Sequence, residues 1–162
     1  MDECQYFRRK WGVKLDEKVR LINYDELDKL LLLYRYLNPE DPDISGKDET
    51  TALWEKIFND PHQHVFVIEE DGQIVASCTL VTVNNLTRGG SPYGLVENVV
   101  THGNYRKRGY GKAVLKKAVE AARSIGCYKV MLLTGRKDEG TLTFYENAGF
   151  TRGMKTGFCI KF

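Results

Sequence analysis

A chain of 162 residues with 42% hydrophobic and 28% charged residues suits one soluble domain that can bury a core without staples. Its formal net charge of +2 excludes a global pull toward nucleic acid or a membrane surface, so basic residues matter only where they cluster. No segment reads as a signal peptide or approaches the ~20 apolar residues of a membrane span, and Cys4, Cys78, Cys127 and Cys159 are too far apart for a CxxC metal or redox motif. A cytoplasmic protein with reduced thiols and no metal site is the expectation.

Residues 1–17 are polar and mixed, with Met1–Lys10 a short helix or a loose arm. Val19–Ile22 reads as a strand, and Asn23 with Glu26 three residues on can cap the next helix. Leu27, Leu30, Leu31, Tyr34 and Leu37 then recur at helical spacing until Asn38-Pro39. An acidic loop, Pro39–Asp43, leads to a second helix over Asp48–Phe58. A strand over His64–Glu70 turns at Asp71-Gly72 into Gln73–Val83, an antiparallel hairpin. Leu95–Thr101 is a further strand. A long helix spans Gly109–Ile125, with Ala113, Val114, Ala118, Ala121, Ala122 and Ile125 on its apolar face and Gly126 as its stop. Lys129–Thr134 is a short strand, parallel to Leu95–Thr101 across that helix. Glu139–Ala148 is the last helix, and Phe158–Phe162 is a candidate closing strand.

The most informative segment joins Leu95–Thr101 to the long helix. A helix start exposes unpaired N–H groups and carries partial positive charge, so it binds anions. Gly109 and Gly111 let an anion approach the backbone, while Arg106, Lys107, Arg108 and Lys112 surround the same point with charge. A Walker A loop is excluded, because Ala113 stands where the hydroxyl after Lys112 should be. The dinucleotide fingerprint lacks its third glycine, with Val114 in that place.

Arg106, Gly109 and Gly111 form an Arg-x-x-Gly-x-Gly pattern, and downstream Phe144-Tyr145-Glu146-Asn147-Ala148-Gly149-Phe150 gives Phe-Tyr-x-x-x-Gly-Phe. In these two motifs and their separation the chain resembles the GNAT superfamily of N-acetyltransferases over residues 64–150. The runs Val96–Val100 and Gly126–Leu132 also resemble the glucosamine-phosphate N-acetyltransferase branch. The resemblance implies an α/β GNAT fold, a mixed central β-sheet flanked by helices on both faces, making residues 1–162 a single acyl-CoA N-acyltransferase domain. It implies acetyl-CoA as acyl donor and a primary amine of a small molecule or peptide as acceptor, attacking the thioester directly. Arg106, Lys107, Arg108, Gly109, Tyr110, Gly111 and Lys112 would hold the pyrophosphate. Val99, Val100 and Thr101 would run beside the pantetheine arm, with the Val99 N–H on the thioester carbonyl.

The same resemblance puts Tyr145 near the coenzyme sulfur, as donor to the leaving thiolate; packing against the sheet is the alternative. Glu97, an acid in an apolar strand run, is the candidate base, since burial would raise its pKa; a carboxylate paired with Arg or Lys is its alternative. His102 and His64 are outside candidates, and water is another carrier of the proton. Asp138 stands where many relatives place an Asn on the coenzyme arm. Thr134–Lys137 can shape the coenzyme exit or be ordinary surface. On the acceptor side stand Tyr34, Tyr36, Trp54 and the Pro39–Asp43 loop, whose carboxylates suit a cationic amine. Arg88 suits a phosphorylated one instead. A catalytically silent acyl-CoA-binding sensor is the rival function, nucleic-acid binding through Arg106–Arg108 a weaker one. Phe158–Phe162 offers an edge for homodimer pairing.

Overall fold

The computed structural model describes residues 15–161. Met1–Lys10 and Cys4 lie outside them. In chain order the elements are α1 (Leu15–Lys18), β1 (Arg20–Leu21), α2 (Leu27–Tyr34), α3 (Asp48–Phe58), β2 (Gln63–Glu70), β3 (Gln73–Val83), β4 (Tyr93–Thr101), α4 (Tyr110–Ile125), β5 (Val130–Met131) and α5 (Glu139–Asn147), with 3-10 turns at Tyr24–Glu26, Arg88–Gly90 and Gly103–Tyr105.

The five strands lie in the order β1-β2-β3-β4-β5, antiparallel except for the last pair. Asp71 and Gly72 both take positive φ, 51° and 78°, which is the twist a two-residue hairpin needs. One face of the sheet is closed by α4. Ala113, Val114, Leu115, Ala118 and Ala122 are buried there against Phe66, Ile68, Cys78, Leu80 and Val96. The other face is closed by α2 and α3, where Leu30, Leu33 and Trp54 meet Val65, Val67, Ile74 and Val100. Strand alternation sends odd residues of β2 to one layer and even ones to the other. The mixed sheet with helices on both faces is the expected architecture.

Some details differ from expectation. β1 shrinks to two residues, although Val19 and Ile22 are buried on either side of it. β5 keeps only Val130 and Met131 of the Lys129–Thr134 run. On α4, Leu115 is fully buried while Ile125 stays 44% exposed, because the sheet ends before the helix does. The expected closing strand does not form over the described residues 158–161, which pair with no strand and leave Phe158 and Ile160 exposed.

Candidate active site

β4 opens the site. Gly94 and Leu95 pair with Val130 and Met131, and the Gly94 N–H donates to Lys129 O at 2.9 Å. Past Leu95 the two strands part. The gap forms a cleft of about 1160 Å³, walled by Val96–Thr101 on one side and Leu132–Arg136 on the other.

β4 also carries a bulge. Thr79 pairs with Glu97 and Ser77 with Val100, so Asn98 and Val99 together oppose Cys78. Asn98 takes the extra turn at φ 51°, a region that Asn visits more readily than most residues. The added residue reverses the strand's alternation. Before it, the Gly94 N–H faces β5, and Val96 shares that side. After it, the His102 N–H donates to Val75 O of β3 at 2.9 Å, so Val100 faces β3 as well. The N–H groups of Val99 and Thr101 therefore point to the open side. The side chains agree, since Val96 and Val99 pack on the same layer across an odd separation.

The loop after Thr101 makes one 3-10 turn and enters α4 through Gly109 at φ 87°. Among the described residues no side chain caps α4, which leaves its first N–H groups free. A Cβ on Gly111 would stand 3.0 Å from Thr101 Oγ1 and 3.1 Å from Phe144 Cζ, so any side chain there would crowd these two residues of β4 and α5. Arg106 Nε donates to Thr101 O at 3.2 Å, tying the loop to the strand end. Among the described residues, Arg106, Lys107, Arg108 and Lys112 have no ion-pair partner. Nine of the ten expected coenzyme residues line the cleft: Val99, Val100, Thr101, Arg106, Lys107, Gly109, Tyr110, Gly111 and Lys112. Arg108 does not. Its guanidinium lies 5.2 Å from the Tyr105 ring centre. A diphosphate fits this cradle: free amides, bare glycine backbone and unpaired cations meet at one point.

The opposite wall is held by α5. Asp138 caps it, accepting from Thr141 N at 2.9 Å and from Thr141 Oγ1 at 3.0 Å, and does not line the cleft, in keeping with its departure from the Asn that relatives place on the coenzyme arm. The Asp-x-x-Thr spacing is a cap signal that was legible in the sequence. Tyr145 enters the cleft half-buried, edge-on to Phe144 at 5.0 Å and Phe150 at 6.4 Å. Burial pushes its phenol above the ordinary value, Arg136 draws it back, and Cys78 and Glu97 add to the rise.

Glu97 lines the cleft but is exposed, so the burial invoked for it is absent. It sits just before the bulge, where the strands have already separated and water enters. No cation pairs with it among the described residues. Neither histidine lines the cleft. His102 stacks on Tyr36 at 4.2 Å and accepts the Asn104 N–H at Nδ1, while His64 Nε2 is buried without a partner among the described residues.

On the acceptor side, Tyr36 lines the cleft together with Leu37 and Asn38, which the sequence reading passed over as a helix end. Trp54 is instead a core residue whose Nε1 donates to Tyr24 O at 2.8 Å. Tyr34 turns under the sheet, Asp43 is tied to Arg35 at 2.6 Å, and Arg88 lies 5.9 Å from the Tyr128 ring; none of them lines the cleft. The α5 residues Gly140, Thr141, Thr143 and Asn147 do, and were not anticipated.

Residues 30–150 match the model of the Acetyltransferase (GNAT) family. Glucosamine 6-phosphate N-acetyltransferase of Trypanosoma brucei brucei is 35% identical over 136 residues, covering 84% of this chain and 90% of that protein. The solved structure of a protein from Agrobacterium tumefaciens str. C58 is 45% identical, with a TM-score of 0.84 over 88% of this chain and 98% of that one. The crystal structure of glucosamine-6-phosphate N-acetyltransferase from Arabidopsis thaliana is 26% identical, with a TM-score of 0.75 over 90% and 97% of the two chains.

Proposed function

This chain belongs to the Acetyltransferase (GNAT) family, and we propose that its acceptor is an amino-sugar phosphate, glucosamine 6-phosphate. The chain is an acetyl-CoA-dependent N-acetyltransferase that moves the acetyl group to an amine. The acceptor assignment is supported by the 35% identity to a glucosamine 6-phosphate N-acetyltransferase across 84% of the chain. Arg136 on the cleft wall supplies a cation for a phosphorylated acceptor.

One observation carries the chemistry: the bulge at Asn98 turns the Val99 N–H toward the gap between β4 and β5. In the proposed reaction a neutral amine attacks the thioester carbonyl carbon from the Tyr36–Asn38 side. Charge builds on the carbonyl oxygen, where the Val99 N–H receives it as a donor fixed beforehand. The C–S bond breaks, and Tyr145 donates its hydroxyl proton toward the sulfur. Its raised titration keeps that proton in place at neutral pH. The amine proton leaves through water to Glu97, the one carboxylate on β4. Val100, Thr101, Arg106, Lys107, Gly109, Tyr110, Gly111 and Lys112 hold the donor, with Arg108 contributing field rather than contact.

Two broader readings accompany this. The protein is cytoplasmic; among the described residues no helix is long and apolar enough to cross a membrane. It forms a homodimer through its C-terminal segment, where Met154, Phe158 and Ile160 are 75%, 92% and 81% exposed.

Thiol release from acetyl-CoA with a panel of amines tests the acceptor. Glucosamine 6-phosphate should turn over at least ~10-fold faster, in kcat/KM, than glucosamine without its phosphate. Equal turnover of both would remove the phosphate from recognition. Tight coenzyme binding with no turnover on any amine would favour the silent sensor.

A further inference from the structure

Two tyrosines flank the coenzyme loop: Tyr105 just before Arg106, and Tyr110 at the first position of α4. Both line the cleft. Both hydroxyls are tied to the tip of the β2–β3 hairpin. Tyr110 Oη donates to Glu70 Oε1 at 3.0 Å. Tyr105 Oη donates to Asp71 Oδ2 at 3.3 Å and accepts from Gln73 Nε2 at 3.4 Å. The Glu70 bond is the shortest of the three, and it reaches the helix itself.

Glu70 has a second partner. Lys18, the last residue of α1, donates to the same Oε1 at 2.6 Å. α1 is fastened to α4 at two further points. Leu15 Cδ1 lies 3.2 Å from where a Cβ on Gly109 would stand, and Asp16 pairs with Lys116. A carboxylate close to an anion site repels the anion unless a cation offsets it. Lys18 supplies that cation, so Glu70 can serve as an acceptor without opposing a diphosphate.

The entry of α4 needs such an anchor. It turns on Gly109 at φ 87°, with no side-chain cap among the described residues. Glycine leaves the backbone other conformations to visit. Amides that must receive a diphosphate bind it best when they are fixed beforehand. Tyr110 fixes the first helical residue from outside the helix.

We propose that Glu70 is a positioning residue for acetyl-CoA binding: with Lys18 offsetting its charge, it holds the Tyr110 hydroxyl and thereby fixes the first turn of α4 where the diphosphate rests. The inference rests on the diphosphate reading of that turn. Glu70 acts through Tyr110, since it does not itself line the cleft.

The test compares two ligands of the full chain by equilibrium titration: acetyl-CoA, and S-acetylpantetheine, which has the same thioester but no diphosphate. Glu70→Ala should weaken acetyl-CoA binding roughly five- to tenfold and S-acetylpantetheine binding less than about twofold. Glu70→Gln keeps an oxygen for the Tyr110 hydroxyl, so it should lose no more than about twofold for either ligand. Tyr110→Phe should weaken acetyl-CoA as Glu70→Ala does, and the two together should do no more than either alone. Wild-type acetyl-CoA affinity in Glu70→Ala overturns the proposal. So does equal weakening of both ligands, a Glu70→Gln loss as large as that of Glu70→Ala, or additive losses in the double variant. A wild-type protein that binds acetyl-CoA no more tightly than S-acetylpantetheine contradicts the diphosphate reading itself and takes the positioning role with it. If Glu70→Ala does not fold, Tyr110→Phe decides: a loss confined to acetyl-CoA supports the anchor, and an equal loss for both ligands overturns it.

Discussion

Tyr145 shows how far a single side chain can be read. Its place in Phe-Tyr-x-x-x-Gly-Phe suggested a donor at the coenzyme sulfur, and the fold puts it half-buried on the cleft wall. Burial is the main reason its phenol sits above the ordinary value. The neutral phenol is the donor, so the contribution is complete at neutral pH and is lost only as pH rises through that raised value. Tyr145→Phe should lower kcat by roughly 10- to 100-fold while acetyl-CoA affinity stays within about twofold. Steady-state kinetics beside a binding titration measure both, and an unchanged kcat removes Tyr145 from the reaction. Glu97 shows the opposite lesson. Its apolar neighbours in sequence suggested burial, but a bulge one residue later and a departing β5 expose it. Neither event has a signature in the local sequence, because both depend on which strands become neighbours.

At the scale of elements, sequence spacing located most of the fold. Asp48–Phe58 and Gln73–Val83 have the expected bounds because their ends are chemically marked, by Asn59-Asp60-Pro61 and by Asp71-Gly72. β5 and the C-terminal run were harder, since a strand exists only where a partner strand accepts its hydrogen bonds. The entry to α2 is held by one buried acid. Glu26 accepts the Asn23 N–H at 2.8 Å and two bonds from Arg20 at 2.6 and 2.7 Å, and Arg20 also reaches Glu69 at 2.7 Å. Arg20 beside it, with the Asn23 N–H and Lys29, brings the Glu26 carboxyl down from 4.5 to about 2 despite its burial. A depressed carboxyl stabilises the fold above its unfolded value, and that contribution disappears as pH falls from about 4.5 through 2. The shift alone corresponds to roughly 3 kcal/mol. Glu26→Gln should cost less, about 2 kcal/mol, because Arg20 is a third exposed and keeps Glu69. Urea unfolding at a series of pH values is the measurement; the variant's stability should vary less with pH than wild type between pH 5 and 2. Parallel curves would remove Glu26 as the acid-sensitive group.

For the whole molecule, the two halves of the site come from distant parts of the chain. The coenzyme cradle was legible because its residues are contiguous, Arg106–Lys112, and its chemistry is that of any helix start with free amides. The cleft was not, because it arises where β4 and β5 separate after two paired residues. The exposed C-terminal segment belongs to this scale too. Met154, Phe158 and Ile160 leave a large apolar surface uncovered beside Leu133, itself 63% exposed. Sedimentation equilibrium should give a dimer for the full chain and a monomer for one ending at Gly153; a monomeric full chain would refute pairing through this segment. The central claim is that a diphosphate rests on the first turn of α4, against backbone that Gly111 leaves bare. Calorimetric titration of acetyl-CoA into Gly111→Val tests it most directly, with circular dichroism to confirm the fold. The added side chain would push on Thr101 and Phe144, both on the cleft wall, so affinity should fall at least tenfold, about 1.4 kcal/mol. A folded Gly111→Val protein that binds acetyl-CoA as tightly as wild type would contradict the claim.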